Sequence, residues 1–235
     1  MQLTEVMDQL EAMGSERTRR IYRNHGAAEP IFGVAVGSLK TLVKTIKKDQ
    51  PLAEQLYATG NGDAMYLAGL IGDPKTVSPA VLDAWAAGAE WYMVSEYAVG
   101  ALAAESPHGW DRGLAWIESD VPHIASTGWA TLGGVVSVRS DDQLDLDALD
   151  AQLDRVAAEL HDAPNRVRYT MNGFVIGVGC YVASLSVKAR AIGEALGTVR
   201  VDLGNTACKV PEAPAYIDKV VQAGRLGRKR KKVRC

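Results

Sequence analysis

Leu3-Thr4-Glu5-Val6-Met7-Asp8-Gln9-Leu10-Glu11-Ala12-Met13 carries apolar side chains at positions 3, 6, 7, 10 and 13. At 3.6 residues per turn that spacing gathers them on one face of a helix. Gly14 supplies a stop, and Ser15 caps a second helix with Glu16 in its first turn. The same grammar continues down the chain. A third helix begins at Ser38, with Leu39, Leu42, Val43 and Ile46 inward and Lys40, Lys44, Lys47 and Lys48 outward. Pro51 opens a helix over 52–58, as a first turn tolerates proline. Further helices are predicted over 63–72, from Ser78-Pro79 onward, and over 90–105, 110–118, 121–138, 146–161, 165–182, 187–196 and 214–222. Breakers such as Gly60-Asn61-Gly62, Asp73-Pro74, Ser106-Pro107 and Ala163-Pro164 keep the connections short. Only Val199-Arg200-Val201-Asp202 reads as a strand. Roughly a dozen short helices, paired at a spacing of ~35–40 residues, predict an all-α, HEAT-like helical-repeat solenoid. No repeat motif is literally copied, so a compact orthogonal bundle is the alternative. Residues 1–224 are assigned to one domain and 225–235 to a basic tail.

Composition narrows the function classes. The 235 residues are 47% hydrophobic and 23% charged, which places the chain among globular rather than disordered sequences. Cys180, Cys208 and Cys235 have no short paired spacing, which argues against a disulfide scaffold or a zinc ribbon. The nearly apolar run 174–187 covers about 14 residues, short of the ~20 that a bilayer-spanning helix needs. No leader is visible at the amino terminus. The expectation is a soluble, cytoplasmic, monomeric protein with no cofactor.

The net charge of -2 conceals a segregation. Arg225 to Cys235 holds seven bases and no acid, leaving nineteen bases against twenty-eight acids elsewhere. Residues 17–48 are basic and 141–162 acidic, the latter with Arg155 alone among eight acids. Such a pattern suggests one anion-attracting side; solvated helix faces and a disordered tail are the alternative. A tail without apolar periodicity is expected to be a flexible arm, which either tracks a phosphate backbone or docks on the acidic helix.

The four histidines are scattered, so neither a metal site nor a triad is predicted. Cys208 beside Lys209 reads as a packed cysteine in preference to an activated thiol. Gly177-Val178-Gly179 lies inside a helical pattern, where close helix packing is the better account. Residues 164–200 are more informative. Asn165, Arg166, Arg168, Lys188, Arg190 and Arg200 project from two adjacent helices, with Glu194 as the only acid. Arg166 and Arg168 sit near a helix start, where free N–H groups already favour an anion. Phosphate binding and salt bridges to the acidic helix before them are both open readings. Trp129, in Ser126-Thr-Gly-Trp-Ala-Thr-Leu-Gly133, either presents its indole on a concave surface or fills the core.

The segments Ile31-Phe-Gly-Val-Ala-Val-Gly-Ser-Leu-Lys-Thr-Leu, Leu52-Ala-Glu-Gln-Leu-Tyr, Gly128-Trp-Ala-Thr-Leu, Asn165-Arg-Val-Arg-Tyr-Thr-Met-Asn and Cys208-Lys-Val-Pro resemble the AlkD-like HEAT-repeat DNA alkylation-repair proteins. That family includes alkylpurine DNA glycosylases. The resemblance implies binding of damaged duplex DNA on a basic concave face and excision of N3- or N7-alkylated purines. It implies Trp129, Arg166, Arg168, Lys188 and Arg190 as DNA- or lesion-binding residues. In active members a Trp precedes a catalytic Asp by four residues. Here that position is Gly133, and Glu194 stands where a second Trp is expected. A carboxylate stabilises the cationic sugar as the base leaves, and losing such an oriented charge costs ~10²–10³ in rate. Glu194, Glu90 or Glu96 are the candidate substitutes. The alternative function is a non-catalytic HEAT scaffold that binds nucleic acid or protein.

Overall fold

The computed structural model describes residues 1–234. Among the described residues thirteen α-helices follow one another: α1 (Leu3–Met13), α2 (Glu16–Asn24), α3 (Val36–Ile46), α4 (Gln50–Ala58), α5 (Gly62–Ile71), α6 (Pro79–Gly88), α7, α8 (Gly109–Trp116), α9 (Pro122–Val138), α10 (Leu146–Glu159), α11 (Asn165–Tyr181), α12 (Ser186–Leu196) and α13 (Ala213–Gln222). Helix α7 is continuous but composite: Tyr92–Val94, a π turn over Ser95–Val99, then Gly100–Glu105. The starts obey local chemistry. Side chains of Ser15, Asp49, Asn61, Ser78 and Asp145 accept the first free amides of α2, α4, α5, α6 and α10. Proline opens α4, α6, α9 and α13.

Two apolar clusters fill the interior. One gathers Leu10, Leu42, Leu56, Leu67 and Leu82 from α1 to α6. The other gathers Trp129, Leu132, Leu149, Phe174 and Val178 from α9, α10 and α11. A Cβ on Gly179 would lie 2.3 Å from Ile217 Cδ1, so α11 and α13 meet as closely as the glycine pair in this stretch suggested. Between α3 and α5 the buried Asp63 carboxylate accepts the backbone amides of Phe32, Gly33 and Val34, fixing the loop that leads into α3.

Two expectations are corrected. No strand occurs among the described residues: Val199-Arg200-Val201-Asp202 lies in the loop between α12 and α13. The Asn165 side chain takes the place of a partner strand, donating to the Asp202 carbonyl and accepting its amide, both at 2.7 Å. This loop reaches back to α2, where Gly204, at φ +69°, approaches the Asn24 carbonyl so closely that a Cβ would lie 2.3 Å from it.

The basic tail is the second. It is neither a free arm nor a clamp on α10, but a strap across the carboxyl ends of four helices. The Gly227 amide donates to the Cys180 carbonyl at the end of α11, and the Arg230 amide to Ser137 at the end of α9. Lys229 Nζ binds the Val136 carbonyl at 3.0 Å and Asp141 at 2.7 Å. The amides of Val233 and Arg234 donate to Glu105 at the end of α7. The Arg234 guanidinium, on a residue 6% exposed, pairs with Glu105 and donates to the Gly69 and Gly72 carbonyls, 2.9 Å each, at the end of α5. Helix carboxyl ends present unpaired carbonyls and partial negative charge, which a cationic segment satisfies. Tail composition alone does not reveal this, because the acceptors come from residues 69 to 180.

Candidate nucleic-acid interface

The π turn of α7 and the first turns of α11 build the centre of the candidate site. They place Glu96 against Arg166, whose Nε donates to Oε1 at 2.9 Å while a second guanidinium N–H bonds Oε2. The guanidinium also lies over the rings of Tyr92 (4.1 Å) and Tyr169 (4.3 Å). The Glu96 side chain is 3% exposed. Burial pushes its carboxyl up to about 7, with the Arg166 hydrogen bond and charge pulling the other way.

Glu96, Tyr97 and Tyr169 face a cavity of about 390 Å³ whose walls include Trp129, Gly133, Gly173 and Tyr216. The strap closes one side of it through Arg230, Val233 and Arg234. Tyr97, Arg166 and Tyr169 also border a second cavity of similar volume, lined by Trp91, His25 and Gly204. Beyond it, Arg168, Arg200 and Lys209 surround an open depression with Asn165 and Asp202. None of the three cations has an ion pair among the described residues, and Arg168 Nε is buried without a hydrogen-bond partner.

The residues singled out from the sequence are distributed unevenly. Arg166 and Arg168 lie at this site. Lys188 is engaged by Asp150 (2.7 Å) and Asp154 (2.8 Å) of α10, and Arg190 by Asp218 (2.7 Å) and Glu194 (3.0 Å). Trp129 is 1% exposed, packed on Phe174 with ring centroids 5.2 Å apart and the Arg155 guanidinium 5.9 Å from its ring. Of the three candidate carboxylates, Glu96 alone shares the cavity with Trp129 and Gly133. Glu90 borders the neighbouring cavity, and Glu194 is exposed beside Arg190. A Cβ at Gly133 would meet nothing closer than 3.7 Å, so packing does not dictate the glycine.

The tyrosines are what sequence reading missed. Tyr97 is 46% exposed here. Their signal is weak, since Tyr66, Tyr97, Tyr169, Tyr181 and Tyr216 converge from four helices with no common spacing.

The all-helical fold that carries this groove is that of the HEAT-like repeat DNA glycosylases and their relatives. Residues 6–181 match the family model described as DNA alkylation repair enzyme, and the chain belongs to that family. A solved structure from "a new family of proteins related to the HEAT-like repeat DNA glycosylases with affinity for branched DNA structures" is 41% identical. It covers 100% of both chains with a TM-score of 0.90. The uncharacterized proteins Lmo0209 of Listeria monocytogenes and Lin0241 of Listeria innocua are each 32% identical over 216 residues, 90% of this chain and 93% of theirs.

Proposed function

We propose that this member of the alkylation-repair family binds branched DNA along the tyrosine-lined groove and excises no base. The observation that carries the reading is the whole-length likeness, at 41% identity, to a protein with affinity for branched DNA structures. The groove supports it. Arg168, Arg200 and Lys209 suit phosphates, whose contacts position a backbone without reading sequence. Exposed tyrosine faces suit the unpaired or loosely stacked bases of a branch point or lesion, at ~1–3 kcal/mol per stacked base. Against excision, the residue four after Trp129 is Gly133, and the one carboxylate beside it, Glu96, is already neutralised by Arg166.

A second reading keeps excision, with Glu96 as the stabiliser of the departing sugar cation, because Glu96, Trp129 and Gly133 share one cavity. Incubation of the purified protein with alkylated DNA separates the two. No methylated purine is expected above the spontaneous rate. Release that Glu96→Gln abolishes would establish the second reading instead.

For binding, Arg168→Gln, Arg200→Gln and Lys209→Gln together are expected to flatten the salt dependence of affinity for branched DNA. The log–log slope should fall by roughly three units, at ~0.9 per phosphate contact. Lys188→Gln with Arg190→Gln should leave the slope unchanged, since acids already hold those charges. Equal slopes for wild type and the first triple variant would remove this face from the reading.

A further inference from the structure

The strap uses only two of its seven cations for anchoring. Lys229 and Arg234 are committed to Asp141, Glu105 and the helix carbonyls beneath them. Arg225, Arg228, Arg230, Lys231 and Lys232 are exposed and have no ion pair among the described residues. Their backbone is nevertheless fixed, because amides at 227, 230, 233 and 234 are tied to α11, α9 and α7. At the far end, Lys48 Nζ shares the Leu70 and Gly72 carbonyls with Arg234 and so extends the line of positive charge.

A line of like charges held at close quarters is costly unless it serves or anchors something. Of the other five, only Arg230 has a side-chain hydrogen bond among the described residues, to the Val233 carbonyl of the strap itself, and none is tied by its side chain to the helices beneath. Nine residue steps of extended chain reach at most ~30 Å, about one turn of a B-DNA duplex. This line is separate from the phosphate-suited cations described above. Arg168 lies near the amino end of α11 and the strap crosses its carboxyl end, and 17 helical residues span roughly 25 Å. Arg230 and Arg234 belong both to the strap and to the wall of the tyrosine-lined cavity, so the line of charge runs along one side of that cavity.

We propose that the anchored strap is a second phosphate-binding surface, which receives one arm of a branched DNA while another arm lies at Arg168, Arg200 and Lys209. This rests on the branched-DNA reading above and deepens it: two separated cationic surfaces on one fold favour a substrate whose backbones diverge. Phosphate recognition here is positional and salt-dependent, and a preformed strap loses less ordering entropy on binding than a free arm.

The test compares wild type with Arg228→Gln/Lys231→Gln/Lys232→Gln, using a four-way DNA junction and a linear duplex of equal arm length. Affinity is measured across a salt series. None of the three side chains has an ion pair or hydrogen bond among the described residues, so the melting temperature should be preserved, confirming that the variant is folded. The expected result is a junction slope lower by two to three units, with the duplex slope unmoved. An unmoved junction slope in a protein that still binds both DNAs overturns the strap proposal and leaves the function reading standing. Equal flattening for junction and duplex also overturns it, since the strap would then belong to a single-duplex face. Failure of wild type to bind either DNA overturns the function reading and, with it, this one.

Discussion

Arg234→Ala is expected to lower unfolding free energy by about 3–5 kcal/mol, the usual cost of removing one partner from a buried ion pair. For a chain of this size the melting temperature should fall by roughly 10 °C. The loss has two parts: Glu105 keeps a charge in a half-buried site with no guanidinium to meet it, and the Gly69 and Gly72 carbonyls lose their donor. The pH dependence carries a signature. Burial raises the Glu105 carboxyl, but hydrogen bonds and charge from Arg234 and the amides of Val233 and Arg234 outweigh it, and its pKa ends below the ordinary 4.5. A depressed carboxylate contributes stability that is fully present above its unfolded value and lost as pH falls through the folded one. The gap between wild type and Arg234→Ala should therefore be widest near neutrality and narrow in acid below about pH 4.5. Denaturant unfolding at pH 7 and pH 3.5 measures it; a gap that is negligible at pH 7 would sink the assignment of the strap as a structural clamp.

Trp129→Ala should cost a similar ~3–5 kcal/mol, because the indole fills the interior between α9 and α11 against Phe174. Trp129→Phe, which retains an aromatic body of smaller volume, should lose much less. DNA affinity, measured well below the melting temperature of each variant, should change little. The opposite pattern, an unchanged melting temperature with binding abolished, would mean that the indole leaves its packed position to meet DNA.

Local patterns revealed the helices almost completely. The apolar spacing over 3–13 corresponds to α1, and the predicted starts at 146 and 165 are those of α10 and α11. Helix α3 begins at Val36 rather than Ser38, an error of the kind that frayed ends invite. What periodicity could not reveal was anything decided by distant residues. The charge of Lys188 is indistinguishable in sequence from that of Arg168, yet α10 brings Asp150 and Asp154 to one and nothing comparable to the other. The π turn that aims Glu96 and Tyr97 has no local composition cue. The strap looked disordered because its own residues bury little apolar surface; its order depends on carbonyls that only the finished helices expose.

Tandem helical repeats ordinarily touch only their neighbours, and such arrays can melt from the ends inward, one unit at a time. Several contacts in this molecule break the rule, two of them over long stretches of sequence. Arg234 donates to the Gly72 carbonyl across 162 positions of sequence, and Gly204 abuts the Asn24 carbonyl at the other side. The first ties the carboxyl-terminal strap to α5 and the second ties the α12–α13 loop to α2, so melting from the carboxyl-terminal end must release contacts to helices far up the stack. Thermal unfolding should accordingly be a single concerted event with coincident calorimetric and spectroscopic transitions. The closures also raise the mean sequence separation of native contacts, so the final step of folding should be slow for an all-helical chain.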